Sequence, residues 1–116
     1  MISKELLSEI CQTNLMSLGK LEVVGSDICL YDCSMQPDIY MCWNIYELAH
    51  KCKEWAYSQG YILFSKIRLN SSLASCYFDT MGKHDYEDGY HNDFRAETEP
   101  EAIFKACEWI LTKDSK

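Results

Sequence analysis

Between Gly82 and Asp93 the sequence GKHDYEDGYHND gathers four acidic side chains, two histidines and two tyrosines within twelve positions. Such a set could hold a metal ion, perform acid–base chemistry or present a charged aromatic surface to a partner. An EF-hand loop needs oxygen ligands at positions 1, 3 and 5, glycine at 6 and glutamate at 12. With Gly89 at position 6, His84 falls at 1, Tyr86 at 3 and Arg95 at 12, so that pattern is not met. Cys29 and Cys33 have tolerable zinc-ligand spacing, but no second close pair follows them. His50 and Cys52 lie two apart on an expected helix and so point to different faces. The histidines therefore read as surface residues and the cysteines as reduced core residues. No metal ligand set and no cofactor are expected.

Nucleophilic chemistry has no better footing. Many nominal cysteine–histidine pairs exist, so none is informative by itself. The sequence contains no G-x-S-x-G, no P-loop and no G-x-G-x-x-G. Asp85 and Glu87 are crowded by further acids, which favours solvation over acid–base work. The chain is expected not to be an enzyme, and no catalytic residue is assigned. A binding surface fits better, because tyrosines among acids combine contact area with charge. The expected partner-binding residues are Asp85, Tyr86, Glu87, Asp88, Tyr90 and Asp93. The alternative is a solvated connection.

The charge distribution points the same way. Net charge is −7, and residues 79–101 hold eight acids against Lys83 and Arg95. The two flanks, with ten acids and nine bases, together carry only −1. Direct nucleic-acid binding is not expected, since phosphates would be repelled; a basic protein partner suits the asymmetry. Length and composition (116 residues, 47% hydrophobic, 25% charged) suit one globular domain spanning 1–116. No apolar run approaches the roughly 18 to 20 residues of a membrane span. The opening MISKELLSEI lacks the apolar centre of a signal peptide. A cytoplasmic protein is expected, which agrees with reduced cysteines.

The elements that must position these residues can be read from pattern. Ser3 can cap a helix in which Leu6, Leu7, Ile10, Cys11, Leu15 and Leu18 recur at helical spacing until Gly19. KLEVVGSDICLYDC predicts two strands around a turn at Gly25-Ser26-Asp27. SMQPDIYM reads as a loop, with Pro37 forbidding a central strand. Asn44 and Glu47 resemble a capping box opening a second helix that closes at Gly60. YILFSKIRL, LASCYFDTM and NDFRAE predict three strands, the last two separated by the acidic stretch. Thr98, with Pro100 in the first turn, caps a final helix. The expected class is α+β, an antiparallel sheet with packed helices in the order α-β-β-α-β-β-β-α.

The segments NIYELAHKCKEWAYSQGYILFS and FRAETEPEAIFKACEWIL resemble small phage and prophage proteins of the α-β-α (ABA) sandwich type. There a helix ending in glycine-aromatic leads into the sheet, and the closing helix starts with a Thr-x-Pro-x-Ala step, here Thr98 to Ala102. The resemblance covers residues 43–113; the helix and hairpin of residues 1–42 lie outside it. It implies no catalytic or metal residues. It implies a mobile-element protein working in the cytoplasm of a bacterial host cell, a setting in which such proteins often inhibit host defence, anti-CRISPR proteins being the best-known class. The expected function is thus inhibition of a basic, nucleic-acid-targeting effector protein or ribonucleoprotein of CRISPR type. The alternatives are an accessory protein with another host partner, a homodimer without inhibitory role, or a metal-dependent enzyme.

Overall fold

The computed structural model describes residues 1–16, 19–32, 38–67, 73–80 and 93–114. Its elements are α1 (Lys4–Cys11), β1 (Lys20–Val24), β2 (Asp27–Asp32), β3 (Asp38–Asn44), α2 (Ile45–Ser58), β4 (Tyr61–Ile67), β5 (Ala74–Thr80), β6 (Asp93–Ala96) and α3 (Glu99–Asp114). The protein is α+β, as its sequence predicts. The strands form two antiparallel three-stranded sheets, ordered β1-β2-β3 and β4-β5-β6, where a single sheet was expected.

Each helix starts where its capping residue dictates. Ser3 Oγ accepts a hydrogen bond from the Leu6 N–H at 3.1 Å and donates to Glu108 on α3 at 2.7 Å, tying two helices through one hydroxyl. Asn44 Oδ1 accepts from the Tyr46 and Glu47 N–H groups at 3.0 and 3.2 Å. Thr98 Oγ1 accepts from the Glu101 N–H at 3.3 Å. These are the orphan donors that every helix N-terminus must satisfy.

The end of α1 departs from the sequence reading. The helix stops at Cys11, and Gln12 takes a left-handed conformation with φ 54. Leu15 is still buried, because the chain folds back: its N–H donates to Ser8 Oγ at 3.0 Å, while Ser8 Oγ donates to the Lys4 carbonyl at 2.7 Å. A loop thus delivers Leu15 to the core that helical spacing seemed to serve. Leu18 lies outside the described residues.

The second departure is β3. Part of the segment read as a loop is a strand that begins immediately after Pro37 and pairs only with β2. The proline restriction applies to central strands, whereas β3 is an edge strand of its sheet; Pro37 itself lies outside the described residues. The β1–β2 turn comprises Gly25 and Ser26, flanked by the Val24↔Asp27 pair. Gly25 has φ 63, which suits a two-residue hairpin turn.

One apolar cluster joins the two sheets. It runs from Leu6 and Leu7 of α1 and Ile28 and Leu30 of β2, through Leu48 and Cys52 of α2, to Cys76, Phe78, Phe104, Cys107 and Ile110. The helices α2 and α3 meet where the Cys107 thiol contacts the Cys52 carbonyl at 3.5 Å. The Cys52 thiol, burial and Glu108, in that order, hold the Cys107 thiol well above its ordinary value, as befits a packed core residue. On the inner face of the second sheet, Tyr61 meets Phe78 edge-on at 5.0 Å and Phe78 stacks on Trp109 at 5.1 Å. These contacts fix which face of β4-β5-β6 is covered and which stays open.

Candidate binding face

Side chains alternate along a strand, so burying Tyr61 and Leu63 of β4 turns Ile62, Phe64 and Lys66 to the opposite face. Phe64 pairs in register with Tyr77 of β5, and Tyr77 pairs with Asp93 of β6. The Phe64 and Tyr77 rings stack, with centroids 5.6 Å apart and planes 23° from parallel. They remain 43% and 42% exposed, so their faces and edges are available for contact. Lys66 Nζ lies 5.8 Å from the Tyr77 centroid, within cation–π range. The outcome is a preformed aromatic platform with the Lys66 ammonium beside it.

A cleft of about 420 Å³ adjoins the platform between α2 and the edge strand β4, lined by Lys53, Glu54, Tyr57, Ile62 and Leu63. Tyr57 is itself 60% exposed. A smaller cavity of about 170 Å³ lies between α2 and the start of α3, where His50 and Lys53 approach Glu99 and Pro100. Ser65 donates a short hydrogen bond to Glu99, which anchors that end of α3 to β4. At its other side, the N-terminal ammonium of Met1 donates to Glu101 at 2.8 Å.

The structure treats the sequence-predicted residues unequally. Asp85, Tyr86, Glu87, Asp88 and Tyr90 lie outside the described residues, as do His84, His91 and Cys33. Asp93 opens β6 as the register partner of Tyr77. In sequence the acidic stretch thus lies between β5 and β6, ending at Asp93 in the row that carries the aromatic stack. Among the described residues, no group of three or more histidines, cysteines or carboxylates could hold a metal. His50 instead lies 3.8 Å from Glu54, one helical turn along. Likewise, no helix among the described residues is long and apolar enough to cross a membrane.

Phe64 and Tyr77 were absent from the sequence-predicted site. A signal was present: in YILFSKI the positions alternating with the core face are Ile62, Phe64 and Lys66, giving the solvent face an apolar load that a merely solvated face does not need. No family model matches the chain, and neither a curated protein nor a solved structure matches it.

Proposed function

We propose that the chain is a non-catalytic binding protein for a basic protein surface. In its most specific form it is a phage- or prophage-encoded inhibitor of a nucleic-acid-targeting bacterial effector of CRISPR type. The observation that carries this reading is the exposed Phe64–Tyr77 stack, in the row that ends at the acidic Asp93. Stacked rings held by a strand ladder lose little side-chain freedom on binding and suit the role of interface anchors. Acids massed between β5 and β6 would steer a basic partner toward those anchors and occupy the lysines and arginines that otherwise hold phosphates. The specific setting rests on the resemblance of residues 43–113 to phage sandwich proteins.

A second reading is self-association. The edge strand β4 exposes Phe64 at 43% on one face and Ile67 at 70% on the other, and two copies could pair along that edge through one symmetric contact.

The test is phage infection of bacteria carrying a defined CRISPR-type effector, with and without the protein. Expression should restore infection, and Phe64→Ala with Tyr77→Ala should abolish that effect while the protein stays folded by circular dichroism. Full restoration by the double variant would overturn the aromatic anchor. Sedimentation of the same variants reads the second reading: a wild-type dimer that the double variant dissociates assigns the platform to self-association.

A further inference from the structure

The first sheet carries a pair of thiols whose placement is unlike that of the other described cysteines. Cys29 of β2 and Cys42 of β3 are register partners. Ile28 and Leu30 lie in the core cluster, so alternation turns Cys29 to the face pointing away from it, in one row with Glu22 and Cys42. Cys42 is exposed to solvent. Cys29 is only 3% exposed yet does not belong to the core cluster.

The ladder also fixes the kind of pair they form. The Ile45 N–H donates to the Ser26 carbonyl at 2.8 Å, which makes Ser26/Ile45 a hydrogen-bonded rung just beyond Asp27↔Asn44. Rungs of an antiparallel ladder alternate, so Cys29/Cys42, three rungs on, is a non-hydrogen-bonded pair. In such pairs the Cα atoms approach to about 4.5 Å with side chains closest together. A disulfide requires about 4.4 to 6.8 Å, so the bond can form without moving either strand.

We propose that Cys29 and Cys42 are a reversible thiol-oxidation site, closing a cross-strand disulfide when the protein meets a small-molecule disulfide such as oxidised glutathione. The Cys42 thiolate, accessible to solvent, attacks one glutathione sulfur and releases the other as reduced glutathione, leaving a mixed disulfide on Cys42. Cys29 then loses its proton to solvent and attacks the Cys42 sulfur, which releases the second glutathione. Two thiols lose two electrons and two protons, and one glutathione disulfide becomes two glutathione thiols.

The surroundings of Cys29 set the order of attack. Its thiol is pushed up to about 11 by the hydrogen bond to Cys42, by burial, and by the charges of Cys42 and Asp27. That makes Cys29 a poor first nucleophile. Once Cys42 carries the mixed disulfide, its sulfur is the electrophile that Cys29, its register partner, attacks. The bond would fasten the edge strand β3 to β2 just before Asn44 opens α2. Cys52, Cys76 and Cys107 are buried in the core, away from any dissolved oxidant.

The experiment incubates the native protein with oxidised glutathione, blocks remaining thiols, and maps the cysteines by peptide mass spectrometry. The expected product has lost two hydrogen atoms, carries one Cys29–Cys42 link, keeps its circular dichroism spectrum and is restored by excess reduced glutathione. Cys29→Ser should stall with one glutathione on Cys42, and Cys42→Ser should stay unmodified at position 29. Wild-type protein that stalls as a Cys42–glutathione adduct, or that links another pair of cysteines, overturns the proposal. Both readouts use the wild-type chain, so the answer does not depend on the variants folding.

Discussion

The cap of α2 makes a prediction that separates local from tertiary contributions. Asn44 Oδ1 accepts two N–H groups of the first turn, at 3.0 and 3.2 Å, both at the exposed end of the helix. In Asn44→Ala water can take over those donors, so the loss belongs near the middle of the usual 0.5 to 2 kcal/mol range, about 1 kcal/mol. With a urea m-value of about 1.5 kcal/mol/M, the unfolding midpoint falls by about 0.7 M at constant m. Aspartate is by itself as good a cap as asparagine, and its charge at a helix N-terminus ordinarily adds about 0.3 to 1 kcal/mol. Here the register partner of Asn44 is Asp27, in a rung of the close, non-hydrogen-bonded kind. Like charges directly opposite each other on a sheet are destabilising by a comparable amount. Asn44→Asp should therefore leave the stability within about 0.3 kcal/mol of wild type. In an Asp27→Asn background the same substitution should stabilise by about 0.3 to 1 kcal/mol. Urea unfolding of the four proteins in this cycle measures the coupling. An Asn44→Asp effect that is identical in both backgrounds would refute the β2–β3 register as the reason for asparagine at this cap.

Glu108 should make stability depend on pH. Burial raises its carboxyl above the ordinary 4.5, with Glu5 adding to the rise and the Ser3 hydrogen bonds and N-terminus opposing it. A raised folded value means the native state holds the proton more tightly. The contribution is therefore greatest below the unfolded value and is lost as pH rises through the folded one. Glu108→Gln should flatten that part of a urea-stability profile between acid and neutral pH, and an unchanged profile would count against the assignment. Cys107→Ser should destabilise by about 1 kcal/mol, at the low end for a buried hydroxyl, because the Cys52 carbonyl can accept its proton; denaturant titration checks this, and a loss of several kcal/mol would contradict the contact. Replacing Asp85, Glu87, Asp88 and Asp93 with their amides should shift stability by no more than about 0.5 kcal/mol. The same variant should lose affinity for a basic partner mainly through a slower association rate at low salt, measurable by surface plasmon resonance. Equal binding at every salt concentration would leave the acidic stretch a solvated connection.

The short-range features were legible in the chain. Ser3, Asn44 and Thr98 are capping residues whose side chains satisfy N–H groups two or three positions away, so their role needs no distant partner. Gly25 marks its turn for the same reason: only two residues close the hairpin, and one of them needs positive φ. Alternation in YILFSKI and the apolar stripes of the helices were enough to establish an α+β protein. The spread of charge, with its excess in residues 79–101, is likewise a property of sequence alone.

Tertiary contacts decided the rest. Periodicity carried α1 onward to Gly19, but Ser8 turned the chain by binding both the Lys4 carbonyl and the Leu15 N–H, and a loop placed Leu15 in the core. Asp38–Asn44 carries apolar residues at consecutive positions and follows a proline, so its local pattern is ambiguous; β2 makes it a strand by supplying a ladder partner. Two sheets form where one was expected, because α2 separates β3 from β4 and each half finds its hydrogen-bond partners within itself. The Phe64–Tyr77 stack and the Cys29/Cys42 pair belong to the same class of fact. Each joins residues thirteen positions apart in sequence, brought opposite each other by register. Register is set when two strands and the apolar face beneath them assemble together, and a shift of one residue would turn every side chain to the other face. Composition can suggest which residues are able to meet, but the pairing of strands chooses which ones do.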